Sequence, residues 1–136
     1  MPSVPLPDRI SAFLRLPNPA VMATVAGDGR PVTVATWYLL EDDGSILLGL
    51  DAGRARLKHM HADPRVSLTA LSEASWYTQV SVQGRVLSIV DDEGLRDIDR
   101  LSQHYLGSPY GDRDRPRVSA RVEIERWHAW GELRDA

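Results

Sequence analysis

Two short polar turns, Gly27-Asp28-Gly29-Arg30 and Glu41-Asp42-Asp43-Gly44, separate three runs of apolar and β-branched residues. Connections this tight cannot carry a crossover. The runs Ala20–Ala26, Pro31–Leu40 and Ser45–Leu50 are therefore expected to pair as antiparallel strands. Glycines in the turns supply the positive φ that such reversals need.

The remaining pattern alternates more slowly. Asp8–Leu16 carries Ile10, Phe13 and Leu14 at helical spacing and stops at Pro17. Asp51–Ala62 reads as a short helix capped by Asp51, with Leu57 and Met60 three apart and Asp63-Pro64 as its stop. Arg65–Leu71 and Tyr77–Val90 read as strands, and Gly84 marks a bulge in the second. Asp92–Leu106 is an amphipathic helix with Leu95, Ile98, Leu101 and Tyr105 on one face and Gly107 beyond its end. Arg117–Trp127 is the last strand. Six strands in 136 residues favour closure, which removes exposed edges. The expected fold is mainly β with small helices: a six-stranded antiparallel split β-barrel of Greek-key type, one domain over 1–136. A dinucleotide fold is excluded, because strands and helices do not alternate and G-x-G-x-x-G is absent.

The sequence has no cysteine, which rules out disulfides, a thiolate nucleophile and a cysteine metal site. Net charge is -3, so nothing in the overall balance points to nucleic acid or an anionic membrane. The proline-rich start has no apolar signal core, and no run is long enough to span a bilayer. A cytoplasmic protein is expected. His59 and His61 are two apart on a helix and face different ways, so no metal site is expected there. No Ser/His/Asp arrangement points to a hydrolase.

The chemistry concentrates in one place. Arg54, Arg56 and Lys58 crowd the start of the helix that leaves the third strand, and Lys58 is the only lysine among 16 basic residues. Cations are unfavourable where the helix dipole is already positive. An anion lodged there, a phosphate above all, makes the arrangement favourable. A solvated basic face is the other reading of the same pattern.

Several segments resemble the pyridoxamine 5'-phosphate oxidase-like split-barrel superfamily, and within it the branch that binds the deazaflavin coenzyme F-420. These are the turn Asp28–Pro31, the strand ending Trp37-Tyr38, the R-x-R-x-K helix start, Asp63-Pro64-Arg65-Val66, the segment Val82–Arg85 and the terminal Arg-Val…Trp strand. The resemblance implies a homodimer and a coenzyme site. Arg56 aligns with the lysine that holds the coenzyme's phosphate, with Arg54 and Lys58 in support. Thr33, Val34, Ala35, Thr36, Trp37 and Tyr38 would line the ring, together with Leu50. Tyr77, Thr78 and Gln79 would come from the facing part of the barrel, and Tyr38 would be the candidate proton donor. The terminal Trp…Arg-Leu-x-Pro segment of true pyridoxamine-phosphate oxidases is missing, so that particular salvage reaction is not expected.

The expected activity is hydride transfer between reduced F-420 and a small organic acceptor. An FMN-dependent oxidase or reductase is the alternative, and a non-catalytic flavin- or haem-binding module is a third reading. Some of Arg113, Arg115 and Arg117 are expected near the exit of the F-420 polyglutamate tail.

Overall fold

In the computed structural model, which describes residues 2–134, the strands and helices fall close to the expected places. Helix α1 is Asp8–Leu14 and helix α2 is Ala55–Ala62. Helix α3, Arg96–Leu106, ends at Gly107, whose φ of 76° makes the left-handed C-cap. The strands are β1 (Ala20–Val25), β2 (Pro31–Thr36), β3 (Leu39–Leu40), β4 (Ile46–Asp51), β5 (Arg65–Leu71), β6 (Gln79–Asp91) and β7 (Arg117–Trp130). All pairings are antiparallel, in the order β2-β1-β5-β6-β7-β4-β3.

Among the described residues there are seven strands rather than the expected six, and the sheet does not close: β2 and β3 form its two unpaired edges. The cause is local. The run Pro31–Leu40 does not continue through Trp37-Tyr38, because the Tyr38 ring turns fully into the core while its backbone N–H donates to the Tyr105 hydroxyl at 3.4 Å. The same hydroxyl donates to the Asn18 carbonyl at 2.8 Å. A ladder partner is thus replaced by a side chain from α3. The chain then crosses from one edge of the sheet to the other.

Side chains alternate in and out along the central strands. Met22, Leu68, Val80, Val82, Leu48 and Val122 point inward to one core, and α1 and α2 add Ile10, Leu14, Leu57 and Met60 to it. A smaller cluster of Leu47, Ile98 and Leu101 lies between β4 and α3, with Trp37 and Tyr110 packed against it. Gly84 sits at a register shift between β6 and β7, where a Cβ would lie 1.9 Å from the Glu123 carbonyl oxygen. Only glycine allows β7 to approach there, so the expected bulge is present.

Asp51 does not cap α2. It is the last residue of β4; its Oδ1 accepts from the Gly53 N–H at 3.0 Å and its Oδ2 from Arg115 at 3.0 Å. Arg54 occupies the N-cap position without a side-chain cap bond. At the start of α3, where Leu95 holds the N-cap position, the two oxygens of Asp92 accept from the Asp97 and Ile98 N–H groups. No helix among the described residues is long and apolar enough to cross a membrane.

Candidate functional site

A cleft of about 660 Å³ opens where the ends of β1 and β2 meet the inner face of α3. Ala35, Thr36 and Trp37 form one wall, and Leu101, Tyr105 and Tyr110 the other. Trp37 stacks on Tyr105 with centroids 5.3 Å apart and meets Tyr110 edge-on at 6.2 Å. Two guanidinium groups, those of Arg56 and Arg117, reach into this largely apolar space.

Arg56 is half-buried. Among the described residues its only hydrogen bond is a donation from Nη1 to the Met22 sulfur at 3.3 Å, a weak acceptor. Burial, then the nearby Arg54 and Arg117, push its pKa below the ordinary arginine value. It remains a cation, since arginine starts so high. A desolvated cation without a carboxylate is costly unless a ligand supplies the anion. Glu73 is the one carboxylate on the cleft wall.

The three cations of the helix start do not converge. Lys58, two residues further along the helix, points away from Arg56. Arg54, in extended backbone at the N-cap, stays near enough to Arg56 to lower its pKa, but both Arg54 and Lys58 are exposed and neither lines the cleft. The predicted ring-binding segment divides in the same way. Ala35, Thr36 and Trp37 line the cleft; Thr33 lies on the outer face of β2, Val34 packs on the core, and Leu50 is fully buried within it. Tyr38 is fully buried too. Its hydroxyl accepts from the Asn18 amide at 2.9 Å, and burial pushes its pKa well up. That geometry argues against a proton donor to a ligand in the cleft. Tyr77, Thr78 and Gln79 lie outside this cleft, with Tyr77 exposed and stacked on Trp76 at 4.2 Å.

Two other hollows fit an anion less well. One of about 850 Å³ is walled by Asp42, Asp43, Glu123 and Glu125, with Arg15 as its only cation. The other, of about 590 Å³, holds Arg65 and Arg126, but Asp63 already pairs with Arg65 at 2.7 Å and Glu125 lines the same space. Among the described residues no group of three or more His, Asp or Glu could hold a metal. His59 instead shares a 2.9 Å hydrogen bond with the Thr24 hydroxyl.

The family model described as pyridoxamine 5'-phosphate oxidase matches residues 6–131. The chain belongs to that family. Among solved structures, an F-420 reductase is 25% identical with a TM-score of 0.79, covering 90% of this chain and 98% of its own. A conserved hypothetical protein from Mycobacterium tuberculosis is 26% identical with a TM-score of 0.75, covering 96% and 88%. General Stress Protein 26 from Bacillus anthracis shares the fold at 16% identity, with a TM-score of 0.67 and coverage of 90% and 92%. No curated protein sequence matches. Within this split-barrel family, the residues that sequence reasoning missed are those of the second wall. Tyr105 and Leu101 were legible as one helical face, but only the fold shows that this face closes a cleft. Tyr110 carries no sequence signal of its own.

Proposed function

We propose that this protein is an oxidoreductase that binds coenzyme F-420 in the cleft between β2 and α3, with the coenzyme's phosphate at Arg56. The observation that carries the reading is the half-buried Arg56 guanidinium, unpaired by any carboxylate, at the end of an aromatic-walled cleft. The donor set suits a phosphorylated flavin-type group: a cation for the phosphate and flat apolar walls for the ring. When bound, a reduced deazaflavin supplies the hydride. The chain's own residues bind, orient and dry the site. Trp37 and Tyr105 set its width, and Leu101 with Tyr110 excludes water from one side. The choice of F-420 over FMN is supported by the 25% identity to the F-420 reductase over nearly all of both chains.

The reading includes a homodimer. Across β2, β1, β5 and β6 the register aligns Ala35, Val21, Thr69 and Ser81 in one outward row, and Thr33, Ala23, Ser67 and Gln83 in the next. Neither row carries a charge, and Val21 and Ala35 also line the cleft. A second copy on this face would roof the cleft and bring Tyr77–Gln79 of one protomer to the site of the other.

Titration of the purified protein with F-420 and with FMN, followed by absorbance and fluorescence, tests the proposal. Tight binding of F-420 with turnover of an electron-poor acceptor is the expected result. Tighter binding of FMN would reassign the coenzyme, and binding without turnover over a broad acceptor panel would make the protein a carrier.

A further inference from the structure

We propose that Arg117 is the second half of the anion site, closing with Arg56 on the coenzyme's phosphoryl group; this rests on the flavin reading above. Arg117 opens β7 opposite Asp51 of β4 and lines the same cleft as Arg56. Its guanidinium carbon lies 4.8 Å from the centroid of the Tyr110 ring, which fixes the plane of the group. Its Nε is buried and has no hydrogen-bond partner among the described residues. A buried guanidinium N–H left unpaired is a cost that a ligand removes.

The neighbouring arginines make the contrast. Arg113 is held by Asp99 at 2.5 Å, and Arg115 by Asp51 at 3.0 Å and Asp112 at 3.3 Å. These two are neutralised on the surface. Arg117 forms no salt bridge with any of the described residues, and the adjacent Asp51 carboxylate is already engaged by Arg115 and the Gly53 N–H. The floor of the site is cut to fit. A Cβ on Gly49 would lie 3.9 Å from Nη2 of Arg117 and 2.9 Å from a Leu101 methyl, so glycine keeps this part of the cleft open. Two guanidiniums facing one gap repel each other until an anion enters between them, and each then offers charge-assisted N–H donors to it. This moves Arg117 from the expected tail exit to the phosphate itself, while Arg113 and Arg115 are paired on the surface and do not line the cleft.

The test compares three ligands on wild type, Arg117→Ala and Arg117→Lys. Riboflavin lacks a phosphate, FMN carries one, and F-420 carries one with its tail. Arg117→Ala should weaken FMN and F-420 roughly 10- to 100-fold and riboflavin no more than about two-fold, with Arg117→Lys in between. Melting temperatures measured alongside separate binding from folding. Phosphate-dependent binding by wild type that persists in Arg117→Ala overturns this inference alone. Equal loss for all three ligands with a lower melting temperature also overturns it, since Arg117 would then act only by packing on Tyr110. Failure of wild type to bind any of the three overturns the flavin reading and this inference together.

Discussion

The indole of Trp37 lies on the phenol ring of Tyr105 with planes 13° from parallel, and this stack fastens the open seam of the sheet to α3. The Tyr105 hydroxyl completes the joint by serving Asn18 and Tyr38. Burial pushes its pKa up to about 12, so it keeps its proton and its donor role at any ordinary pH. Tyr105→Phe retains the stack and strands a carbonyl and an amide. It is expected to cost about 1–2 kcal/mol in thermal unfolding. Tyr105→Leu, which removes the stack as well, should cost more. Equal losses would show that the stack contributes nothing.

Tyr38 gives the opposite kind of expectation. Its ring fills the core and its hydroxyl accepts from Asn18, whose amide also donates to the Phe13 carbonyl at 2.8 Å. Tyr38→Phe keeps the packing and leaves Asn18 with one partner. Stability should fall by about 1 kcal/mol or less, and turnover with the reduced coenzyme should hold. A ten-fold loss of turnover with an unchanged Kd would restore Tyr38 as a proton donor.

The contrast between these two tyrosines shows what a linear reading can reach. Hydrophobic periodicity located all three α-helices and most strand boundaries, because burial on one face leaves a repeat in the chain. It missed the break at Trp37-Tyr38, since an apolar run looks the same whether the chain continues as a strand or dives into the core. It also treated Arg54, Arg56 and Lys58 as one cluster. Helical geometry separates Arg56 from Lys58 by the same rule that set His59 and His61 apart, whereas Arg54 precedes the helix in extended backbone. Arg117 was legible only as a charge. Its freedom from a carboxylate depends on Asp51, far away in the chain, being taken by Arg115.

That separation makes a graded prediction. Arg56→Ala should weaken coenzyme binding by about 1.5–3 kcal/mol, the range for a charge-assisted hydrogen bond. Its effect on the melting temperature should be small or favourable, since an unpaired half-buried cation is removed. Arg54→Ala and Lys58→Ala, both exposed, should each cost about 0–1 kcal/mol of binding and lose that effect at high salt. Isothermal titration at two salt concentrations checks the order. Equal losses at all three positions would return the site to the whole helix start.

Acid should loosen the joint between α3, β7 and the second turn. Glu41 accepts from Arg100 and from Arg121, and Arg100 also contacts Asp97. The Arg100 guanidinium first, then Arg121, hold the Glu41 carboxyl below its ordinary value of 4.5. The folded form therefore binds this proton less readily than the unfolded chain. The stabilisation is complete above about pH 4.5 and is lost as pH falls through the lower folded value. Solvent screening limits it to about 1 kcal/mol or less. Unfolding followed by circular dichroism should show Glu41→Gln less stable at pH 7 and closer to wild type at pH 3. A constant difference across that range would mean the carboxylate charge is not what matters.

The outer face of the sheet carries the remaining prediction. Val21 is 38% exposed at the centre of an uncharged patch, beside Ala35 and Thr69. On a free surface, Val21→Arg would change stability by only about 0.5 kcal/mol. At a twofold interface the same change sets two cations close together where neither has a partner, and burying them unpaired costs several kcal/mol. Light scattering at micromolar concentration should then report a dimer for wild type and a monomer for Val21→Arg. Val21 also lines the cleft, so coenzyme affinity is read on a second variant of this face, Ser67→Arg, which does not touch the cleft. It should fall with the dimer, because Tyr77–Gln79 would no longer reach the neighbouring cleft. A wild-type monomer that binds coenzyme at full strength would confine the site to one protomer and leave Arg56 and the walls of Trp37 and Tyr105 to hold the ligand alone.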